Sequence, residues 1–207
     1  KGSGADLTVA AAADTVQAGN ATNALYAARL IQAGMPTASQ ESIADGQNAG
    51  GDNESIALPI RCATSGNLDN LYYTRYDESI AGEVGLVRRD DAADVVLSQV
   101  DRGLTGTAVR RHRVRAIGAG ATVALEYQVD DTRPLVYPDT AANRKTSGPP
   151  GVGLVGNTGT IPNVDNLSVD DLTATGFQAR CGTVSVGTGA AGTTYSVVAL
   201  GFQPKVV

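Results

Sequence analysis

The stretch Thr107–Val129, TAVRRHRVRAIGAGATVALEYQV, gives the clearest secondary-structure pattern in this 207-residue chain. From Thr122 onward its residues alternate in character, and the larger apolar ones all fall on one side: Val123, Leu125, Tyr127 and Val129. A period of two predicts a half-buried β-strand with that side facing a core. Gly118-Ala119-Gly120 supplies a turn before it, and Thr107–Ile117 is predicted to be its antiparallel partner.

Outside this hairpin, the chain contains many short strand-like stretches separated by glycine turns. This pattern predicts a mostly β fold, a sandwich, barrel or β-tulip-like domain with one or two short helices. We expect a single domain over residues 1–207, with a long polar loop near 37–54 and a Gly/Pro loop near 140–163. Asn23–Ala33 is the best helix candidate, although a strand pair is also possible there.

Composition and charge narrow the classes of function. The net charge is −5, which argues against a general nucleic-acid binder because such proteins need a basic face. Apolar runs stay far below the ~20 residues that span a bilayer, so no membrane partner is expected. Aromatic residues are only 4% of the chain, and this thin core favours burial against a partner subunit.

The two cysteines, Cys62 and Cys181, lie far apart in the sequence and both fall in strand-like stretches. Their spacing does not match a metal site. Two buried free thiols are the favoured interpretation, and a disulfide between them is the alternative.

Catalytic and cofactor motifs are weak. Gly151–Gly156 matches G-x-G-x-x-G, but Pro149-Pro150 precedes it and no helix signal follows, so it is interpreted as a loop entering a short strand. His112 is the single histidine and stands among arginines, which disfavours a Ser-His-Asp arrangement. We therefore predict a protein that is not an enzyme and has no cofactor.

Two acidic sets could bind Ca²⁺ through loop oxygens: Asp165, Asp170 and Asp171, or Asp45, Asp52 and Glu54. Neither set has the spacing of an EF-hand or RTX loop, so solvated charge is the preferred interpretation and no metal site is predicted.

Arginine is concentrated in one strand of the hairpin. Arg110, His112 and Val114 would share one face, whereas Arg111, Arg113 and Arg115 would share the other. Guanidinium groups need carboxylate partners when they are removed from water, and these could come from the same subunit or from another. We predict a homo-oligomer, preferably a trimer, with Arg111, Arg113 and Arg115 at or near the contact.

Three tyrosines, Tyr72, Tyr73 and Tyr76, lie close together in the sequence. They could form a stacking platform for sugar rings, because a tyrosine ring is apolar and its hydroxyl is polar. The preferred alternative is that they line the core or a subunit contact.

Several stretches resemble the head-decoration (capsid cement) proteins of tailed bacterial or archaeal viruses: Gly4–Val9, Val16–Gly19, Ile117–Leu125 and Gly151–Leu154. The resemblance implies an Ala/Gly/Thr/Val-rich β protein that sits as an oligomer on the outside of a capsid shell. It carries no functional residues over to this chain.

From these observations we expect a structural virion protein, most simply a capsid decoration subunit that contacts the major capsid protein shell on the outer capsid surface. The alternatives are a carbohydrate- or surface-binding β module, or a subunit of an extracellular filament or S-layer, either of which would be extracellular.

Overall fold

The computed structural model describes residues 7–10, 15–18, 24–30, 38–48, 55–64, 68–77, 82–156, 162–172 and 178–179. These residues form strands and irregular connections, and no helix occurs among them. The strands are β1 Leu7–Ala10, β2 Thr15–Ala18, β3 Ala24–Arg29, β4 Gln40–Gln47, β5 Ser55–Ile56, β6 Pro59–Ile60, β7 Leu71–Asp77, β8 Glu83–Asp90, β9 Ala93–Asp101, β10 Arg110–Ile117, β11 Val123–Val129, β12 Leu135–Asp139, β13 Gly151–Gly156, β14 Asn163–Leu172 and β15 Gln178–Ala179.

The largest sheet has the order β1-β2-β14-β4-β10-β11-β12, with β15 paired to β14. The β10–β11 hairpin lies inside it, with His112 opposite Val129 and Ile117 opposite Ala124. Gly118 adopts a φ of 83° at the turn, a conformation that glycine reaches without strain. The hairpin predicted from the sequence is therefore confirmed.

A second layer consists of two smaller sheets, β3-β13-β5 and β6-β7-β8-β9. A bent strand that consists of β5 and β6 connects the two sheets. Its first part, β5, pairs with β13 in one sheet, and its second part, β6, pairs with β7 in the other. Pro59 stands at the start of β6, where the missing N–H is tolerated. The residues of this bent strand from Ser55 to Cys62 are buried.

The main core lies between the large sheet and this second layer. The predicted inward face of β11 is buried, with Val123, Leu125, Tyr127 and Val129 each at most 1% exposed. They pack with Ile56, Leu58, Tyr72, Tyr76 and Leu86 of the second layer. A smaller apolar cluster, which includes Tyr73, Val87 and Cys62, lies on the opposite side of β7 and β8.

The helix predicted over Asn23–Ala33 is wrong, because Ala24–Arg29 form strand β3. Its partner β13 is rich in glycine, and Gly151 approaches the backbone of Ala28 so closely that a methyl group there would lie 2.5 Å from the carbonyl oxygen. Pairing with this glycine strand overrides the local preference for helix.

The polar loop predicted near 37–54 is also wrong at its centre, where Gln40–Gln47 form β4 between β10 and β14. Two of its polar side chains show how polar residues are accommodated in this strand. The Gln40 amide donates to the carbonyl oxygen of Gly148, and Glu41 pairs with Arg115. In the other predicted loop, residues 140–150 are irregular, but Gly151–Gly156 form β13.

Cys62 is a buried free thiol, as favoured from the sequence. Cys181 lies outside the described residues.

Candidate functional site

The outer side of the large sheet carries a set of charged and amide side chains, here named the charged face: Glu41, Asp45, Arg111, Arg113, Arg115, Glu126 and Gln128. Strand register brings them together. Arg115 is opposite Glu41 on β4 and opposite Glu126 on β11. Arg113 is opposite Gln128, and Arg111 is opposite Asp45. Because side chains alternate along each strand, these residues lie on the side away from the apolar core.

Ion pairs link the middle of this face. The Arg115 Nε donates to Glu41 Oε2, and Arg115 Nη1 lies 3.5 Å from Glu126 Oε1. Arg113 Nη2 lies 3.6 Å from the same Glu126 oxygen and also donates to Gln128 Oε1. Two guanidinium groups therefore hold one carboxylate in position, while Glu126 stays 23% exposed and accessible to a ligand.

The predicted subunit contact assumed that the arginines of β10 take carboxylate partners from another subunit, and the structure does not require this. Arg113 and Arg115 find carboxylates within their own chain, and Arg111 Nη1, whose side chain is 62% exposed, lies 3.5 Å from Asp45. A neighbouring subunit is therefore not needed to neutralise these arginines. The trimer stays a prediction, without this argument to support it.

On the other side of the same strand, His112 lies in the core. It is 0% exposed, its Nδ1 is 2.8 Å from the Tyr127 hydroxyl, and its ring lies 5.2 Å from that of Tyr76. Burial lowers the pKa of His112 to about 4, although the charge of Asp130 acts in the opposite direction. A neutral, enclosed imidazole cannot reach a substrate, which agrees with the sequence interpretation.

A cleft of about 450 Å³ adjoins the charged face. It lies where β12, at one end of the large sheet, meets β9, at one end of the four-stranded sheet. Its lining residues are Val100, Arg102, Glu126, Arg133, Pro134, Leu135 and Val136. Glu126 therefore belongs both to the charged face and to this cleft.

The proposed tyrosine platform is wrong, because Tyr72, Tyr73 and Tyr76 are 0%, 6% and 1% exposed. Strand β7 is covered on both sides, so Tyr72 and Tyr76 lie in one apolar cluster and Tyr73 lies in the other. The Tyr72 hydroxyl donates to Asp139 at 2.6 Å, and burial together with this carboxylate raises the pKa of Tyr72. The alternative, that these tyrosines line the core, is confirmed.

Sequence reasoning missed a polar network that fastens the 140–150 segment to the second layer. Arg88 Nη1 donates to both oxygens of Asp139, at 3.1 and 3.0 Å, and Arg88 Nε donates to Asp90 at 2.8 Å. The Lys145 ammonium lies 2.7 Å from the same Asp90. Burial would raise the pKa of Asp139, but hydrogen bonds from Tyr72, the Ala141 N–H and Arg88 hold it below its usual range.

A second feature that the sequence did not reveal is Arg61. It is 1% exposed at a φ of 54°, and it donates to the carbonyl oxygens of Lys145, Ala38 and Gly118. Burial lowers the pKa of this guanidinium to about 10. The side chain joins three separate segments of backbone, so its role is structural.

The other candidate sites are strand residues. Gly151–Gly156 form β13, a strand with antiparallel partners on both sides, which rules out a phosphate loop. Asp45 lies on β4, while Asp165, Asp170 and Asp171 lie on β14; Asp52 and Glu54 fall outside the described residues. In the part of the chain that the structure describes, no three His, Cys, Asp or Glu residues are arranged to hold a metal ion. Nor does any described segment form a helix able to cross a bilayer.

The sequence matches no family model and no curated protein. Solved structures share its fold. The carbohydrate-binding module CBM66 from Bacillus subtilis superposes with a TM-score of 0.59 at 14% identity, over 74% of this chain and 85% of that module. The exoplasmic/lumenal domain of VIP36, in its Ca²⁺/Man3GlcNAc-bound form, superposes with a TM-score of 0.52 at 10% identity, over 77% and 79% of the two chains. The chain therefore has a lectin-like β-sandwich fold.

Proposed function

We propose that this chain is a carbohydrate-binding β module that recognises glycans with its charged face and the adjoining cleft, without catalysing a reaction. The observation that carries the proposal is the position of Glu126, a partly exposed carboxylate held by two arginines at the border of the cleft. The fold likeness to a carbohydrate-binding module from Bacillus subtilis supports it, since sugar binding is what that structure's name describes.

The chemistry of the charged face suits sugar hydroxyls, which both donate and accept hydrogen bonds. A carboxylate accepts from two neighbouring hydroxyls, and a guanidinium donates in a fixed fork. Glu126, Arg113 and Gln128 provide both kinds of group within one patch. Because the ion pairs hold these groups in place before binding, little side-chain entropy is lost when a ligand binds.

Apolar contact would come from the cleft and not from tyrosine rings. Val100, Leu135 and Val136 line it, and Val136 is 62% exposed. Pockets that combine apolar walls with a few fixed polar groups are typical ligand sites. Recognition here would therefore rest on aliphatic walls and charged hydrogen-bonding groups.

The test is a glycan panel followed by titration calorimetry on wild-type protein and two variants. Glu126→Gln keeps the shape of the side chain and removes its charge. Asp94→Asn is the matched control, because Asp94 forms a comparable ion pair with Arg89 at 2.7 Å on the other layer. We expect binding to at least one glycan class, with affinity reduced about 10- to 100-fold by Glu126→Gln and unchanged by Asp94→Asn.

Two outcomes would contradict the proposal in different ways. Failure of the wild-type protein to bind any neutral or acidic glycan would remove the proposed function. Binding that Glu126→Gln leaves unchanged would place the site elsewhere on the molecule.

The capsid-decoration function implied by the sequence resemblance stays a prediction, as do the capsid-shell partner and the virion location. Co-sedimentation with expanded capsids from the source would test it directly. Electron microscopy of the purified protein would test the filament or S-layer alternative, since either would form polymers.

A further inference from the structure

Two arginines of the cleft have no carboxylate partner among the residues that the structure describes. In the described part of the chain, no carboxylate oxygen lies within 4.0 Å of a side-chain nitrogen of Arg102 or Arg133. Arg111, Arg113 and Arg115 nearby all have such partners. In a chain with a net charge of −5, two unneutralised cations on one concave surface indicate a place for an anion.

The position of Arg102 is fixed by the protein. Its backbone N–H donates to the carbonyl oxygen of Gly82 at 3.3 Å, and its Nη2 donates to the carbonyl oxygen of Arg133 at 2.7 Å. Its Nε is buried and has no hydrogen-bond partner among the described residues. A buried donor without a partner is costly, so the hydrogen bonding of the Arg102 guanidinium is incomplete within the described part of the chain.

Arg133 complements this arrangement from the rim. It is exposed and sits beside Pro134 at the start of β12, so its guanidinium can move onto a bound ligand. Two guanidinium groups that approach from different walls can share one carboxylate or sulfate group through charge-assisted hydrogen bonds.

Glu126 is the acidic group of the cleft, and its charge is balanced by Arg113 and Arg115 on the opposite side. It can therefore accept hydrogen bonds from ligand hydroxyls without preventing an anion from binding near Arg102. Leu135, Val136 and Val100 form apolar walls against which the C–H face of a sugar ring can pack.

We propose that this cleft binds an acidic sugar, with the anionic group between Arg102 and Arg133 and a ring hydroxyl on Glu126. The proposal rests on the proposed carbohydrate-binding function and specifies its ligand class. Carboxylated sugars (uronates) and sulfated sugars share the required chemistry, so the experiment must separate them.

The experiment is titration calorimetry with oligogalacturonate, its methyl-esterified and therefore uncharged counterpart, and a sulfated oligosaccharide. We expect the charged oligomers to bind more tightly than the uncharged one, and the affinity for them to fall as salt concentration rises. The stronger of the two charged ligands identifies the anionic group.

Arg133→Gln is the main variant because Arg133 is exposed and its loss should not disturb folding; Arg102→Gln is the second. Each should weaken binding of the charged oligomer at least about tenfold and leave binding of the uncharged oligomer unchanged. Arg89→Gln, which removes the same charge on the other layer, should have no effect.

Three results would overturn the proposal. Equal affinity for charged and uncharged oligomers would show a neutral-sugar site, which leaves the proposed function intact. Binding of the sulfated ligand that neither arginine variant weakens would show non-specific attraction. Absence of binding to every oligosaccharide would remove both this inference and the proposed function.

Discussion

The burial of His112 gives the free energy of unfolding a pH dependence that can be isolated, because this is the single histidine in the chain. Its pKa is about 4 in the folded protein, where burial excludes the charged form, and 6.5 in the unfolded chain. Between these values the unfolded state binds a proton that the folded state does not. Stability contributed by the neutral imidazole is therefore present above pH 6.5 and is lost as the pH falls towards 4.

The magnitude follows from the two pKa values. One pH unit corresponds to about 1.4 kcal/mol for one proton, so the total loss is about 3 kcal/mol, of which about 2 kcal/mol has occurred by pH 5. The pKa values of Asp90 and Asp139 are lowered by their partners, so the stability that these carboxylates contribute is lost only at more acidic pH.

Urea denaturation at several pH values from 7.5 to 5, followed by circular dichroism, measures this dependence. His112→Gln should abolish most of the slope, whatever its effect on stability at pH 7.5. Tyr127→Phe is the matched control, because it removes the 2.8 Å contact with His112 Nδ1 and keeps the imidazole. If His112→Gln showed the same slope as the wild-type protein, the reasoning from burial would be refuted.

Three further predictions concern the backbone and the buried thiol. Gly148→Ala should lower the free energy of unfolding by roughly 3 kcal/mol, because position 148 has a φ of 138° and the new methyl group would lie 2.2 Å from the Cys62 carbonyl oxygen. Gly103→Ala is the control, since Gly103 also has positive φ but has open space around it. This substitution should lower the free energy of unfolding by only about 1 kcal/mol in the same urea assay. Ala92→Gly should stabilise the protein by about 0.5–1 kcal/mol and so raise the midpoint of thermal unfolding. The reason is that Asp91 and Ala92 both have positive φ in a two-residue hairpin turn that prefers Asp-Gly. An unchanged or lower midpoint would contradict this. Burial raises the pKa of Cys62 to about 12, so this thiol should resist iodoacetamide at pH 8 in the folded protein and react after denaturation. Peptide mass spectrometry measures the labelling of each state. Equal labelling of both states would show that the thiol is accessible.

The parts of the fold that could be read from the sequence are those where the local pattern and the tertiary environment agree. Strand β11 alternates apolar and polar residues, and its apolar side faces the core. Strand β4 could not be predicted in this way, since Gln40, Glu41 and Ser42 are all buried in spite of their polarity. The Gln40 amide donates to residue 148 and Glu41 pairs with Arg115 of β10, and both of these partners lie more than 65 positions further along the chain.

The candidate site shows the same division. Alternation along β10 placed Arg111, Arg113 and Arg115 on one face, and this is confirmed by their register with β4 and β11. The identity of their partners, Glu41 and Glu126, depends on which strands pair, and no local signal gives that. Arg102 and Arg133 could not be predicted as site residues because they belong to no sequence motif. They come together because the end of β9 lies next to the start of β12.

The way in which Arg61 and Tyr72 hold the 140–150 segment has an evolutionary consequence. Arg61 binds the carbonyl oxygen of Lys145, and the Tyr72 hydroxyl accepts a hydrogen bond from the Lys145 backbone N–H. Both contacts are to main-chain atoms, so the side chain at position 145 can change without breaking them. In diverged relatives, the shape of this segment should therefore depend on residues 61 and 72, which are remote from it in sequence, while the amino acids of the segment itself change.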